Sequence, residues 1–119
     1  VAKLNGIYIK DRVLFFQLSC NNLSPIDYDI DFIRFYIRDK RKLKRTAVQE
    51  LELVPLFLEG ITNKVAANTK SAAVFALEKF TIPDDKNFLI QIGERNGGRN
   101  IQLRVNNSKL MKAKILQSQ

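Results

Sequence analysis

The sequence contains no histidine, no tryptophan and a single cysteine, Cys20. Histidine is the commonest general base and the commonest metal ligand, so its absence removes the usual means of activating a serine, threonine or cysteine nucleophile. One cysteine cannot form a disulfide within the chain, and its position in an alternating apolar run predicts a buried, inert thiol. We therefore expect no enzyme, and we predict no catalytic, cofactor-binding or metal-binding residues.

Long uncharged apolar runs are also missing. A charged residue interrupts every hydrophobic stretch before the roughly 20 residues that a membrane-spanning helix requires, so no transmembrane segment is predicted. The sequence starts at Val1 without a signal-peptide pattern, and we expect a fragment or processed form of a longer exported protein. A length of 119 residues with 45% hydrophobic residues predicts a single domain over residues 1–119.

Positive charge is in excess, with 20 Lys and Arg against 12 Asp and Glu and a net charge of +8. Such an excess favours a polyanionic partner, nucleic acid or acidic lipid. It is equally compatible with an acidic protein partner or with solubility alone. The basic residues cluster in residues 40–45, 95–104 and 109–114, and charge by itself leaves these alternatives open.

Residues 30–45 combine the clearest core pattern with the clearest surface pattern. Ile33, Phe35 and Ile37 alternate with polar and aromatic residues, which predicts a strand with one buried face. Aromatic and arginine side chains are enriched at interface centres, so the opposite face is a candidate partner-binding surface. Another part of the same domain covering that face is the alternative. The candidate residues are Phe32, Arg34, Tyr36 and Arg38.

A basic run follows this strand directly, and it is predicted to be an exposed hairpin loop. It contains no aromatic residue, which favours a solvated loop or a contact with an acidic protein over stacking on single-stranded nucleic acid. We include it in the candidate partner-binding set. Its residues are Lys40, Arg41, Lys42, Lys44 and Arg45.

Further alternating runs predict strands over residues 5–10, 13–22, 46–57, 73–82 and 87–94, with a return strand from Ile101. A hairpin is predicted at Asp11 and Arg12, and another at residues 96–98, where Asn and Gly tolerate positive φ. Pro55 indicates an edge strand or a bend. Residues 60–71 are predicted to be a connection with a short helical turn. This pattern predicts an all-β, immunoglobulin-like antiparallel sandwich of about seven to nine strands.

The tail from residue 107 has a different pattern. Asn107 or Ser108 is a candidate N-cap for a short helix running to Ile115, with a further strand as the alternative. Two apparent ligand motifs are rejected. Residues 27–38 begin like a calcium loop but lack the required Gly and Glu. Residues 94–100 lack the phosphate-loop pattern and predict a plain hairpin turn.

Three stretches together resemble the TraN family of conjugative transposons. They are LNGIYIKDRVLFFQL, YDIDFIRFYIRDKRKLKRTAVQELEL and FTIPDDKNFLIQIGERNGGRNIQLRV, and they cover most of the chain. IRDKRKLKRTAVQE and ERNGGRNIQL are the most specific pieces.

The resemblance implies the C-terminal domain of a structural subunit in a conjugative, type IV secretion-like DNA-transfer apparatus. It further implies a periplasmic location associated with the outer membrane. The implied partners are other subunits of the apparatus in a multimeric assembly, including a lipoprotein. It transfers no catalytic residues. Nucleic-acid binding remains the alternative function, motivated by the net charge and by the DNA that such an apparatus carries.

Overall fold

Two β-sheets packed face to face make up the part of the chain that the computed structural model describes, residues 1–40, 50–61 and 63–115. One short helix, α1 (Asn107–Leu110), lies near the end. In chain order the strands are β1 (Ala2–Lys10), β2 (Val13–Asn22), β3 (Tyr28–Asp39), β4 (Glu50–Leu53), β5 (Phe57–Glu59), β6 (Lys64–Val65), β7 (Thr69–Glu78), β8 (Lys86–Glu94), β9 (Ile101–Val105) and β10 (Lys114–Ile115).

The strand order confirms the predicted sandwich. The first sheet runs β10-β1-β2-β7-β5 and the second runs β4-β3-β8-β9, while β6 pairs with the start of β3. All pairs are antiparallel except β1 with β10. Strands β1, β2, β7 and β5 thus face strands β4, β3, β8 and β9, and the chain crosses between the sheets from β2 to β3 and from β7 to β8. This is the arrangement of an immunoglobulin-like fold.

Both predicted hairpins are present. Asp11 and Arg12 join β1 to β2 and have φ values of 50° and 68°, so this two-residue turn reaches the left-handed region without glycine. In the second hairpin, Asn96 has φ 54°. The carboxylate of Glu94 accepts the N–H of Arg99 at 3.0 Å within that turn. The plain-hairpin interpretation of residues 94–100 therefore holds.

Phenylalanine rings join the two sheets. Phe16 and Phe75 of the first sheet stack at 4.7 Å between ring centroids, and Phe75 lies 4.3 Å from Phe35 of the second sheet. Phe88 approaches Phe16 at 5.4 Å. All four side chains are fully buried, and offset or tilted aromatic pairs stabilise a core beyond the area that they bury. Cys20 is also buried, as predicted.

Pro55 marks the point where the chain changes sheets. β4 is an edge strand of the second sheet, and β5 is an edge strand of the first. Proline cannot donate to a strand ladder, so the interruption falls where no pairing is needed. The prediction of one strand over residues 46–57 is corrected to two short strands, with residues 46–49 outside the described part.

Three other boundaries differ from the prediction. Residues 60–71 contain β6 and the start of β7 instead of a helical turn. β7 ends at Glu78 because its register with β2 ends at Val13, so residues 79–82 lie beyond the strand. The helix cap is Asn106, whose side chain accepts the N–H of Lys109 at 2.9 Å.

The predicted short helix is present but ends at Leu110, so its extension to Ile115 is wrong, and Lys114 and Ile115 form a strand. β10 extends the first sheet beside Tyr8 and Ile9 of β1. Among the described residues, no helix is long and apolar enough to cross a membrane.

Candidate functional site

The outward face of the second sheet carries the residues that the sequence singled out on β3. A register shift between Ile30 and Phe32 leaves Asp31 as an extra residue and reverses which positions face the core. Ile30 is buried before the shift and Phe35 after it. The bulge therefore explains why the even-numbered positions point outward only from Phe32 onward.

Pairing with neighbouring strands arranges this outer face in rows. Arg38 lies opposite Glu50 of β4 and Asn87 of β8. The next row, read across the sheet, consists of Glu52, Tyr36, Leu89 and Arg104. The third places Arg34 opposite Gln91, which lies opposite Gln102. The face consequently has acidic residues along its β4 border and a basic residue on β9.

Phe32 covers a glycine on the neighbouring strand. A Cβ atom built on Gly93 would lie 2.2 Å from Cε2 of Phe32, so the ring occupies the space that any other side chain would need. The guanidinium of Arg34 lies 4.5 Å from the centroid of the same ring. Hydrogen bonding to Tyr36 is the main cause that raises the pKa of Arg34, which therefore stays charged.

Arg38 is held differently from Arg34. Its Nε atom lies 2.5 Å from Oε1 of Glu50, and its guanidinium lies 5.9 Å from the ring of Tyr36. Arg34 makes no ion pair with the described residues and is exposed. Of the two arginines, Arg34 is thus the one whose charge is available to a partner.

A polar groove of about 260 Å³ lies at the end of this face. Lys40 and Arg104 contribute exposed cationic side chains, and Asn87, a residue that is 8% exposed, contributes an amide. The residues lining the groove are Arg38, Asp39, Lys40, Asn87, Leu89, Gln102 and Arg104.

The predicted partner-binding set is only partly brought together. Phe32, Arg34, Tyr36 and Arg38 share one face, and no other described element covers it, while Lys40 follows at the end of β3. The remaining four members, Arg41, Lys42, Lys44 and Arg45, lie outside the described residues. Whether any of them contacts a partner stays a prediction.

Sequence reasoning missed the contributions of β8 and β9. Asn87 shares its parity on β8 with Gln91, opposite to the apolar Phe88, Ile90 and Ile92, and this alternation is the signal for its outward direction. Arg104 alternates with Leu103 and Val105, which is a signal for its outward direction. Cross-strand neighbours cannot be read from either signal, because they depend on register between strands far apart in sequence.

A second, more apolar groove of about 370 Å³ opens between the sheets at the other end of β3. Its walls include Cys20, Tyr28, Ile30, Ile92 and Ile101. Burial raises the pKa of the Cys20 thiol, and desolvation likewise raises that of Tyr28, so neither group is set up as a nucleophile or base at neutral pH.

Titratable residues elsewhere are tied to structural partners. Hydrogen bonds from Arg99 hold the pKa of the Glu94 carboxyl below its ordinary value. The Asp39 carboxylate, 2.7 Å from the Lys86 ammonium, raises the pKa of Lys86. Within residues 1–40, 50–61 and 63–115, no three His, Cys, Asp or Glu side chains are placed to hold a metal ion.

Fold and site together define an immunoglobulin-like sandwich domain with a mixed aromatic and cationic sheet face. The chain belongs to the family described as Domain of unknown function (DUF4138), whose model matches residues 1–115. Comparisons with curated proteins and with solved structures find no match.

Proposed function

We propose that this domain is a structural subunit of a conjugative, type IV secretion-like DNA-transfer apparatus and acts through protein–protein contacts. The apparatus, the periplasmic location and the association with the outer membrane rest on the resemblance of three sequence stretches to the TraN family. The proposed partners are neighbouring subunits of a multimeric assembly, including a lipoprotein.

One structural observation supports a binding role above all. A sheet face that presents Phe32, Arg34 and Tyr36 is left uncovered by the described chain. Such residues supply large contact area and charge-assisted hydrogen bonds at interface centres. The guanidinium of Arg34 lies over the ring of Phe32, so this face presents a cation and an aromatic ring together.

Charge reversal at Arg34 tests this proposal. Arg34→Glu in the full-length protein is expected to reduce co-purification of transfer-apparatus subunits from conjugating cells and to lower transfer frequency. Arg38→Glu is unsuitable, because it would place a second carboxylate beside Glu50 and disturb the fold. Lys70→Glu is the matched control, since Lys70 is an exposed lysine on the other sheet. Unchanged co-purification with Arg34→Glu would contradict the proposed interface.

A basic module that binds the transferred DNA is the second candidate, favoured by the net charge of +8. Its affinity for DNA should fall steeply with salt, because phosphate contacts release counterions. Replacing the four basic residues of the 41–49 segment by Gln should then lower the slope of log affinity against log salt by up to about 4. A polarisation titration showing no DNA affinity at low salt would remove this candidate. The replaced residues are Arg41, Lys42, Lys44 and Arg45.

A further inference from the structure

The side-chain amide of Asn87 lies at the polar groove on the outer face. Asn87 is 8% exposed as a residue, but its amide atoms are not fully enclosed, and no described residue forms a hydrogen bond with them. Its register opposite Arg38 directs it to the outer face, into the groove. Asn87 is therefore ready to donate a hydrogen bond to a ligand.

Unpaired charge in this groove is positive. Arg38 is paired with Glu50 at 2.5 Å, and Asp39 is paired with Lys86 at 2.7 Å. Lys40 and Arg104, by contrast, have no acidic partner among the described residues, and both are exposed. The backbone N–H of Lys40 donates to the carbonyl of Asp85 at 2.8 Å, which fixes this residue at the end of the groove. The groove therefore complements an anion.

The neighbouring charges favour a small anion over a polyanion. Glu50 and Glu52 follow one another along the β4 border of the same face and would repel an extended phosphate backbone. A volume of about 260 Å³ accommodates a side-chain-sized group. A carboxylate accepts hydrogen bonds from both a guanidinium and an amide in one plane, which matches the groups available.

We propose that the groove bounded by Lys40, Asn87 and Arg104 binds a carboxylate of a partner protein. Lys40 and Arg104 supply the positive charge, and the Asn87 amide donates a hydrogen bond. This site rests on the proposed function, because it specifies an acidic residue on the protein partner of the outer face.

The test is an NMR titration of the ¹⁵N-labelled 119-residue chain with an acetylated, amidated peptide containing two glutamates, at constant ionic strength. We expect saturable shifts of the Asn87 side-chain amide and of backbone amides beside Lys40 and Arg104. Arg104→Gln should weaken binding by at least roughly tenfold, since it removes a charge-assisted donor. Lys70→Gln, an equal charge change on the other sheet, should leave binding unchanged.

Three results would overturn the carboxylate site: no saturable shift, wild-type binding by the Arg104→Gln variant, or equal shifts with inorganic phosphate and a short DNA strand. The co-purification experiment separates this site from the proposed function. If peptide binding fails while Arg34→Glu still abolishes co-purification, the groove is not the contact and the assembly role stands. If the groove binds the peptide while Arg34→Glu and Arg104→Gln leave co-purification intact, the site is real and the assembly role through this face is wrong.

Discussion

Replacing Gly93 by alanine should destabilise the protein, and the sign of the effect should reverse when Phe32 is removed. The structure places a Cβ at position 93 only 2.2 Å from one ring atom of Phe32 and 2.4 Å from the next. Alanine therefore cannot be accommodated until the ring moves off the strand. Phe32→Ala empties that space, and position 93 then becomes an ordinary strand position.

The expected magnitudes follow from two opposing contributions. Alanine in a strand interior is more stable than glycine by about 0.5–1 kcal/mol, because the unfolded chain loses less entropy on folding. Displacing the ring costs about 1–3 kcal/mol as overpacking, including the loss of its contact with Arg34. Gly93→Ala should thus cost about 1–2 kcal/mol in the wild-type background and stabilise the Phe32→Ala protein by about 0.5–1 kcal/mol.

Urea denaturation of the wild type, both single variants and the double variant gives the coupling energy. Far-UV circular dichroism is the suitable signal, because the chain has no tryptophan. We expect a coupling of about 1.5–3 kcal/mol between the two positions. Additive effects, or a stabilising Gly93→Ala in the wild type, would refute the placement of Phe32 over Gly93 and with it the geometry of the outer face.

Three other predictions concern the core, the second hairpin and the cysteine. Phe75→Ala should lower the free energy of unfolding by about 4–5 kcal/mol, because it empties a site between two aromatic rings. Phe57 is 39% exposed, so Phe57→Ala should lower it by less than about 1.5 kcal/mol. Similar urea midpoints for the two variants would contradict the packing. Arg99 lowers the pKa of the Glu94 carboxyl in the folded protein. The stability that this ion pair adds is therefore fully present above the unfolded-state pKa of Glu94, and it is lost as the pH falls through the folded-state pKa. Wild type should therefore lose more stability than Glu94→Gln below about pH 4.5, and parallel acid titrations would contradict the pair. Cys20 should react with a thiol reagent much more slowly in native than in urea-unfolded protein, and equal rates would contradict its burial.

Local patterns were sufficient to predict the framework of the fold. Alternation in residues 13–22 gave β2 with both ends correct, because inward apolar positions at period two coincide with a buried sheet face. The two-residue hairpin before it and the glycine-containing hairpin after β8 were also predictable. Turn chemistry is local, so it can be recognised without knowledge of the remaining chain.

Features that depend on distant pairing were not predictable in the same way. β10 forms only because β1 offers an unpaired edge beside Tyr8 and Ile9, more than 100 residues away in sequence. The groove combines Asn87 of β8 and Arg104 of β9 with Lys40, which follows the end of β3, and these three residues are far apart in sequence. Sequence alone identified the outward row of β3, but it could not show which strands stand beside that row.

The distribution of charge separates the two candidate functions physically. Residues 41–49 contain four basic residues and no acidic residue, so they hold half of the net charge of +8. The outer sheet face is mixed instead, with Glu50 and Glu52 on one border against Arg34, Arg38 and Arg104 across the sheet. Nucleic-acid binding would therefore depend mainly on the 41–49 segment and on salt. Recognition of an acidic protein would depend on the placement of single groups on the sheet, and would survive neutralisation of that segment.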